Sequence, residues 1–168
     1  GAQVAQEPLR FRQVHLDFHT SEHIPDVGSR FDKHQFQEML RLGHVDSVTC
    51  FSKCHHGWSY HDTKVGRKHP HLHGELLPRQ IEACRELDVN VPIYISAGFD
   101  EVMIHTHPEW GRKQKDGKEF APLQPGFKLL CFNTPYLDYL CRQIEEVVDR
   151  FDGDGIFLDI INARPCYC

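Results

Sequence analysis

Ser47-Val-Thr-Cys-Phe-Ser-Lys-Cys-His-His-Gly-Trp-Ser-Tyr-His61 joins two unlike pieces of chain. Ser47, Val48 and Thr49 form a β-branched run that reads as the end of a buried strand. Within residues 50–61, two adjacent imidazoles, a lysine, a glycine and the aromatics Trp58 and Tyr60 then meet in one connection. Such a mixture is costly to bury and poor at building a core. Loops that hold this chemistry on a rigid scaffold are where binding and catalysis concentrate. The stretch reads as a substrate-binding loop at the mouth of an α/β fold, with a His-rich surface loop as the plainer alternative.

The polar connection continues to Gly74, and its length decides the architecture. Upstream, residues 1–10 read as a loose lead-in. Residues 12–18 alternate as a strand, with Val14, Leu16 and Phe18 on one face and His15, Asp17 and His19 on the other. Residues 31–42 carry Phe36, Met39 and Leu40 at helical spacing and stop at Gly43. Strand two covers residues 46–51. Residues 76–87 read as a helix with Leu77, Ile81, Cys84 and Leu87 on one stripe, and residues 91–96 as strand three with Pro92 at its start. A second long connection spans residues 98–128. Residues 136–151 read as a helix with Leu137, Leu140, Ile144, Val147 and Val148 facing inward, and residues 155–161 as strand four.

Alternating strands and helices imply a parallel sheet with helical crossovers. The helix-to-strand links at 87–91 and 151–155 are short, whereas the strand-to-helix links are long and chemically loaded. That asymmetry fits TIM (β/α)8 barrels, whose sites lie at the C-terminal ends of the strands. A whole barrel takes roughly 200 to 250 residues. The 168 residues are therefore expected to form the N-terminal part of one barrel domain, a half-barrel of about four βα units with parallel strands. A small open sheet, complete as it stands, is the alternative.

A net charge of −5 leaves no basic field for nucleic acid or an acidic membrane, so neither is expected as a partner. No apolar run reaches the ~20 residues of a membrane span, and the first residues lack a signal-peptide pattern. The seven cysteines are odd in number and spread singly, apart from Cys166-Tyr-Cys168, which fits reduced thiols and a cytoplasmic location. The Cys166/Cys168 pair is half of a metal clip and alone too small for a four-ligand site, so no metal and no cofactor are expected.

Asp159 is the sharpest candidate for chemistry, a carboxylate inside an apolar strand. Burying it costs several kcal/mol unless it is paired. Near the C-terminal end of a barrel strand it is well placed to attack or stabilise an electron-poor carbon. Pairing with a residue such as Arg164 is its structural alternative. His15, Asp17 and His19, spaced by two, share one strand face and suit a divalent metal, sugar hydroxyls or a purely structural layer. His55 and His56 offer donors and acceptors to hydroxyls, Trp58 and Tyr60 offer ring faces, and Lys53 offers a fixed positive donor. Glu101 and Trp110, in the second loaded connection, are candidates for the same pocket, Glu101 as an auxiliary acid. The His69-Pro-His-Leu-His73 run reads as a solvated loop. There is no Gly-rich phosphate loop and no Gly-x-Ser-x-Gly elbow.

Val14-His-Leu-Asp-Phe-His-Thr, Cys50-Phe-Ser-Lys-Cys-His-His-Gly-Trp-Ser-Tyr-His, Val91-Pro-Ile-Tyr-Ile-Ser, His107-Pro-Glu-Trp, Cys131-Phe-Asn-Thr-Pro-Tyr and Asp154-Gly-Ile-Phe-Leu-Asp-Ile together resemble the hypothetical glycosyl hydrolase family six, whose catalytic barrel is α-amylase-like or fucosidase-like. More distantly, Lys53-Cys-His-His-Gly-Trp is similar to the Lys-His-His-Asp-Gly-Phe motif of α-L-fucosidases, and Gly155-Ile-Phe-Leu-Asp to the strand bearing their aspartate nucleophile. The resemblance runs from about residue 12 to residue 168. It implies a retaining glycosidase with a carbohydrate substrate, Asp159 as nucleophile, and His55 and His56 on the sugar. Families of this kind continue through a second half-barrel. A retaining enzyme needs a second carboxyl group ~5 to 5.5 Å from the first, and that partner would come from the other half. The half-barrel is thus expected either to pair with a second copy or to need the remaining strands. The alternatives are a metal-dependent hydrolase built on His15, Asp17 and His19, and a carbohydrate-binding half-barrel without chemistry.

Overall fold

Val48, Cys50 and Phe51 are almost wholly buried, and β2 (Ser47–Lys53) accordingly runs through the middle of the sheet. A strand covered on both faces reads as continuous apolar and β-branched sequence rather than alternation. On one edge β2 pairs in parallel with β1 (Gln13–His15), Val14 opposite Val48. On the other it pairs in parallel with β5 (Ile93–Ser96), Phe51 opposite Tyr94. β5 pairs in parallel with β6 (Ile156–Asp159), Ser96 opposite Asp159. The four expected strands therefore lie side by side in chain order, all parallel. The computed structural model describes residues 8–124, 126–161 and 164–168. The first seven residues of the expected lead-in lie outside this set.

The sheet is mixed rather than purely parallel. β3 (Trp58–Ser59) folds back antiparallel on the end of β2, Ser59 opposite Lys53, and β4 (Arg67–Lys68) adds to β3. The reversal is made at Gly57, whose φ of +92° is left-handed and whose N–H reaches the Cys54 carbonyl at 2.9 Å. A Cβ at Gly57 would lie 2.1 Å from Asp100 Oδ1, so a glycine is required there on packing grounds as well.

The four α-helices among the described residues all contribute to the core on one face of the sheet. α1 (Lys33–Leu42) starts at Asp32, whose carboxylate accepts from Gln35 N–H at 2.8 Å. α2 (Leu76–Arg85) buries Leu77, Ile81 and Cys84 as expected. α3 (Glu101–Thr106) lies in the second long connection, capped by Asp100 and followed by a 3₁₀ turn at Pro108–Trp110. α4 (Tyr136–Arg150) completes the layer. Two helical stripes are rotated from expectation. In α1 Gln37 is buried in place of Met39, because its amide donates to the Ala83 carbonyl at 3.1 Å and to Glu86 Oε2 at 2.8 Å. In α4 Tyr136, Tyr139, Leu140, Gln143 and Val147 are buried, while Leu137 and Val148 are exposed.

The main core lies between these helices and Val48, Cys50, Ile93 and Ile95 of the sheet. The opposite face carries Phe51 and Tyr94, which with Val27, Cys54, Tyr60 and Leu76 form a smaller cluster. This second face is where the candidate site forms. No helix among the described residues is long and apolar enough to cross a membrane.

Candidate functional site

Register fixes the site's floor. Phe51, Tyr94 and Phe157 stand in a row across β2, β5 and β6. Their rings stack, with centroids 3.7 Å apart for Phe51–Tyr94 and 5.7 Å for Tyr94–Phe157. Two residues further along, on the same face, come Ser96 and Asp159. Both sit at the C-terminal ends of their strands.

Asp159 is held by donors on each oxygen. Tyr94 O–H donates to Oδ2 at 2.7 Å, and Ile160 N–H donates to Oδ1 at 2.8 Å. Its side chain is still 36% exposed, so a ligand can reach it. The residue that follows is strained: Ile160 is β-branched yet has a φ of +58°. Gly98 lets that turn close against β5, since a Cβ there would lie 2.1 Å from the Ile160 carbonyl oxygen.

His55 projects over Asp159, its Nε2 3.9 Å from Oδ2. Ser96 Oγ donates to the Phe99 carbonyl at 2.9 Å. It therefore accepts from His55 Nδ1–H at 2.7 Å, which assigns the imidazole proton to Nδ1 and leaves Nε2 as an acceptor. Burial, reinforced by the neighbouring His19, pushes the His55 pKa down to about 4 against the opposing pull of Asp159. At neutral pH this ring carries no charge.

His19 stacks on His55 at 3.9 Å. Its Nδ1 accepts His55 N–H at 3.1 Å, and its Nε2 lies 2.8 Å from Asp17 Oδ1. His15 Nε2 is 3.8 Å from the same Asp17 oxygen, and the His15 ring abuts Phe51, Tyr94 and Phe157. Regular pairing of β1 ends at His15. The period-two reading nevertheless brings the three residues together. Both nitrogens of His19 are already engaged, so the trio does not turn three free ligand atoms to one point.

A cleft of about 580 Å³ adjoins this cluster, lined by Glu22, His56, Trp58, Glu101, His105 and Phe127 among others. Phe127 touches the adjacent imidazoles His55 and His56 edge-on, at 5.4 Å and 5.1 Å, and so links cluster and cleft. The His55 and His56 carbonyls accept the Glu101 and Val102 N–H groups at 3.2 and 3.1 Å, tying the loop to the first turn of α3. Burial lowers the His56 pKa and raises that of Glu101. Trp58 Nε1–H reaches Glu22 Oε2 at 3.4 Å, leaving the ring on the cleft wall.

Three expected ligand contacts are corrected. Lys53 is fully buried and faces the helices: Nζ lies 3.0 Å from Asp100 Oδ2 and 3.1 Å from Tyr136 Oη. The register between β2 and β5 shifts between Phe51 and Lys53, which breaks the alternation and re-aims the side chain. Tyr60 is also buried; its phenol donates to the Phe18 carbonyl at 3.0 Å and takes up Thr20, anchoring the segment after β1. Trp110 stacks on His107 at 3.8 Å and packs beside Tyr136 on the helical side. His69, expected as a solvated loop residue, is buried, with Nε2 2.8 Å from the Ser21 carbonyl. Conversely, Tyr94 and Ser96 belong to the cluster without having been singled out. Their signal was present as two polar groups spaced by two in Val-Pro-Ile-Tyr-Ile-Ser, on the face opposite Ile93 and Ile95.

A mostly parallel sheet with its polar cluster at the strand C-termini is the arrangement of barrel glycosidases, and comparisons with known proteins agree. Residues 32–160 match the family model described as hypothetical glycosyl hydrolase 6. The chain belongs to that family. Among solved structures it is similar to alpha-L-fucosidase isoenzyme 2 from Paenibacillus thiaminolyticus, with 52% identity and a TM-score of 0.90 over 95% of this chain and 25% of that one. The Thermotoga maritima alpha-fucosidase matches at 21% identity and a TM-score of 0.56, over 83% of this chain and 31% of that one. A maltogenic alpha-amylase from Thermotoga neapolitana matches at 17% identity and a TM-score of 0.54, over 78% and 34%. These last two likenesses concern the fold alone. The chain thus spans about a quarter of the length of the Paenibacillus fucosidase. No curated protein matches it.

Proposed function

We propose that these residues are the first four βα units of a (β/α)8 barrel in a retaining glycosidase acting on α-L-fucosides, with Asp159 as the nucleophile. The observation that carries the reading is Asp159 itself. It sits at the C-terminal end of β6 on the face away from the helices, oriented by Tyr94 O–H and Ile160 N–H and overlooked by a neutral His55. The Paenibacillus fucosidase, at 52% identity, supplies the sugar.

In the proposed reaction an Asp159 oxygen attacks the anomeric carbon and forms a glycosyl ester, while an acid protonates the departing oxygen; water then hydrolyses the ester. The two hydrogen bonds fix the carboxylate's direction before the sugar arrives. His55 and His56 receive sugar hydroxyls, Trp58 faces the ring from the cleft, and Asp17 orients His19 beneath His55. The acid/base is assigned to the remaining barrel strands. Glu101, raised in pKa by burial, serves the leaving-group side as an auxiliary acid.

The test is covalent trapping in the full-length protein. A 2-fluoro-fucosyl fluoride should label the peptide that contains Asp159, and Asp159→Asn should lower turnover of an aryl α-L-fucoside by roughly 10⁴-fold or more. Label on another carboxylate would overturn the assignment. Saturable sugar binding with no turnover would favour a carbohydrate-binding domain instead. The metal-hydrolase reading is disfavoured by His19, whose two nitrogens are taken by His55 N–H and Asp17.

A further inference from the structure

The Cys166/Cys168 pair gains a third member in the folded chain. Cys131, in the segment between α3 and α4, brings its sulfur to the same place. The three Sγ atoms all lie within 4.8 Å of one another. Cys131 and Cys168 are separated by 3.7 Å. A disulfide would need about 2.05 Å. A tetrahedral thiolate–zinc centre with Zn–S bonds of about 2.3 Å has edges of roughly 3.8 Å, and the observed separation is of that size.

The second observation is what surrounds the sulfurs. Each receives an N–H donor. Asn133 N–H points at Cys131 Sγ at 3.4 Å, Lys113 N–H at Cys166 Sγ at 3.3 Å, and the Asn133 side-chain amide at Cys168 Sγ at 3.7 Å. A neutral thiol is a poor acceptor, whereas donors converging on sulfur are how proteins hold metal-bound thiolates. Three adjacent thiolates repel one another unless a cation lies between them.

We propose that Cys131, Cys166 and Cys168 bind one zinc ion as thiolates, outside the carbohydrate site. Three sulfurs select a soft divalent ion over magnesium or calcium. Binding forms three Zn–S bonds and releases three thiol protons to solvent, with no change of oxidation state. Among the described residues no fourth His, Cys, Asp or Glu joins the three sulfurs, so the fourth position falls to water or to a residue outside them. The ion would tie the segment that follows β6, which leaves directly from Asp159 and Ile160, to the strip at Leu129–Cys131. That strip bridges back to Phe99 and Gly111. Tyr167 N–H to the Lys113 carbonyl at 3.0 Å already joins the two segments at one point.

The experiment is metal analysis of the full-length protein purified untagged under reducing conditions. About one zinc per chain is expected, falling to none in Cys166→Ser/Cys168→Ser. Because that variant could misfold, cobalt titration of the chelator-stripped parent protein is the second measurement. Intense sulfur-to-cobalt charge-transfer absorption saturating at one equivalent supports the site. Asn133→Ala, which keeps all three sulfurs, should weaken zinc binding by about 10-fold. No zinc uptake with the three thiols fully reduced, or a Cys131–Cys168 disulfide in the natively isolated protein, would overturn the proposal. Neither result bears on Asp159, whose test is labelling.

Discussion

At the scale of single residues, two tyrosine and lysine contacts separate site from scaffold. Tyr94 O–H on Asp159 Oδ2 at 2.7 Å is a hydrogen bond to a charged acceptor, worth about 1.5–3 kcal/mol. Tyr94→Phe keeps the ring stack on Phe51 and removes only the donor. On the proposed fucosidase reading, turnover of an aryl α-L-fucoside by the full-length protein should fall roughly 10- to 100-fold with little change in folding stability; unchanged turnover would remove Tyr94 from the proposed reaction. Lys53 should behave in the opposite way. With both partners fully buried, Lys53→Met strands the Asp100 carboxylate, and loss of one member of a buried pair costs about 3–5 kcal/mol. Urea denaturation should show that loss, and adding Asp100→Asn should restore part of it. From sequence Lys53 and Asp159 look alike, each a charge following a β-branched or aliphatic run. What tells them apart is a register slip between β2 and β5, and no local pattern encodes it.

At the scale of elements, the strands and most helices were legible and their faces only partly so. β2, β5 and β6 appear where apolar runs stand between turn residues, and α2 buries the stripe its spacing predicts. The stripes of α1 and α4 were misread because Gln37 and Gln143 are buried while Met39, Leu137 and Val148 are not. Gln37 enters the core because its amide reaches the Ala83 carbonyl and Glu86 Oε2, partners that come from elsewhere in the chain, whereas Gln143 Oε1 is buried without a hydrogen-bond partner. α3 was missed because six residues are too few to show a period. The β3 reversal rests on one residue, so Gly57→Ala, with left-handed φ and a Cβ 2.1 Å from Asp100 Oδ1, should destabilise the protein by at least 1 kcal/mol or so. A melting temperature within error of the parent would mean that the loop relaxes freely.

At the scale of the whole molecule, buried imidazoles set the acid limit. His55 and His61 are both pushed down to about 4 by burial. Their ordinary value is 6.5, so between these values the unfolded chain binds protons that the folded one refuses. Stability is therefore full above about pH 6.5 and falls as pH drops toward 4, and melting curves at about pH 7.5 and about pH 5 should differ accordingly. A flat profile would contradict the burial of both rings. The two ends of the strand order carry a different expectation. Val14 on β1 and Phe157 and Leu158 on β6 are exposed, and among the described residues each of these two strands pairs on one side only. Expressed alone, the 168-residue piece should self-associate in sedimentation; a well-behaved monomer would argue that the sheet is complete as it stands. The succession β1, β2, β5, β6 across the sheet also bears on biosynthesis. Each parallel strand docks beside one that left the ribosome earlier. At roughly 5–20 residues per second, the nascent chain can lay down these four parallel strands in order of translation, each new strand finding its neighbour already made.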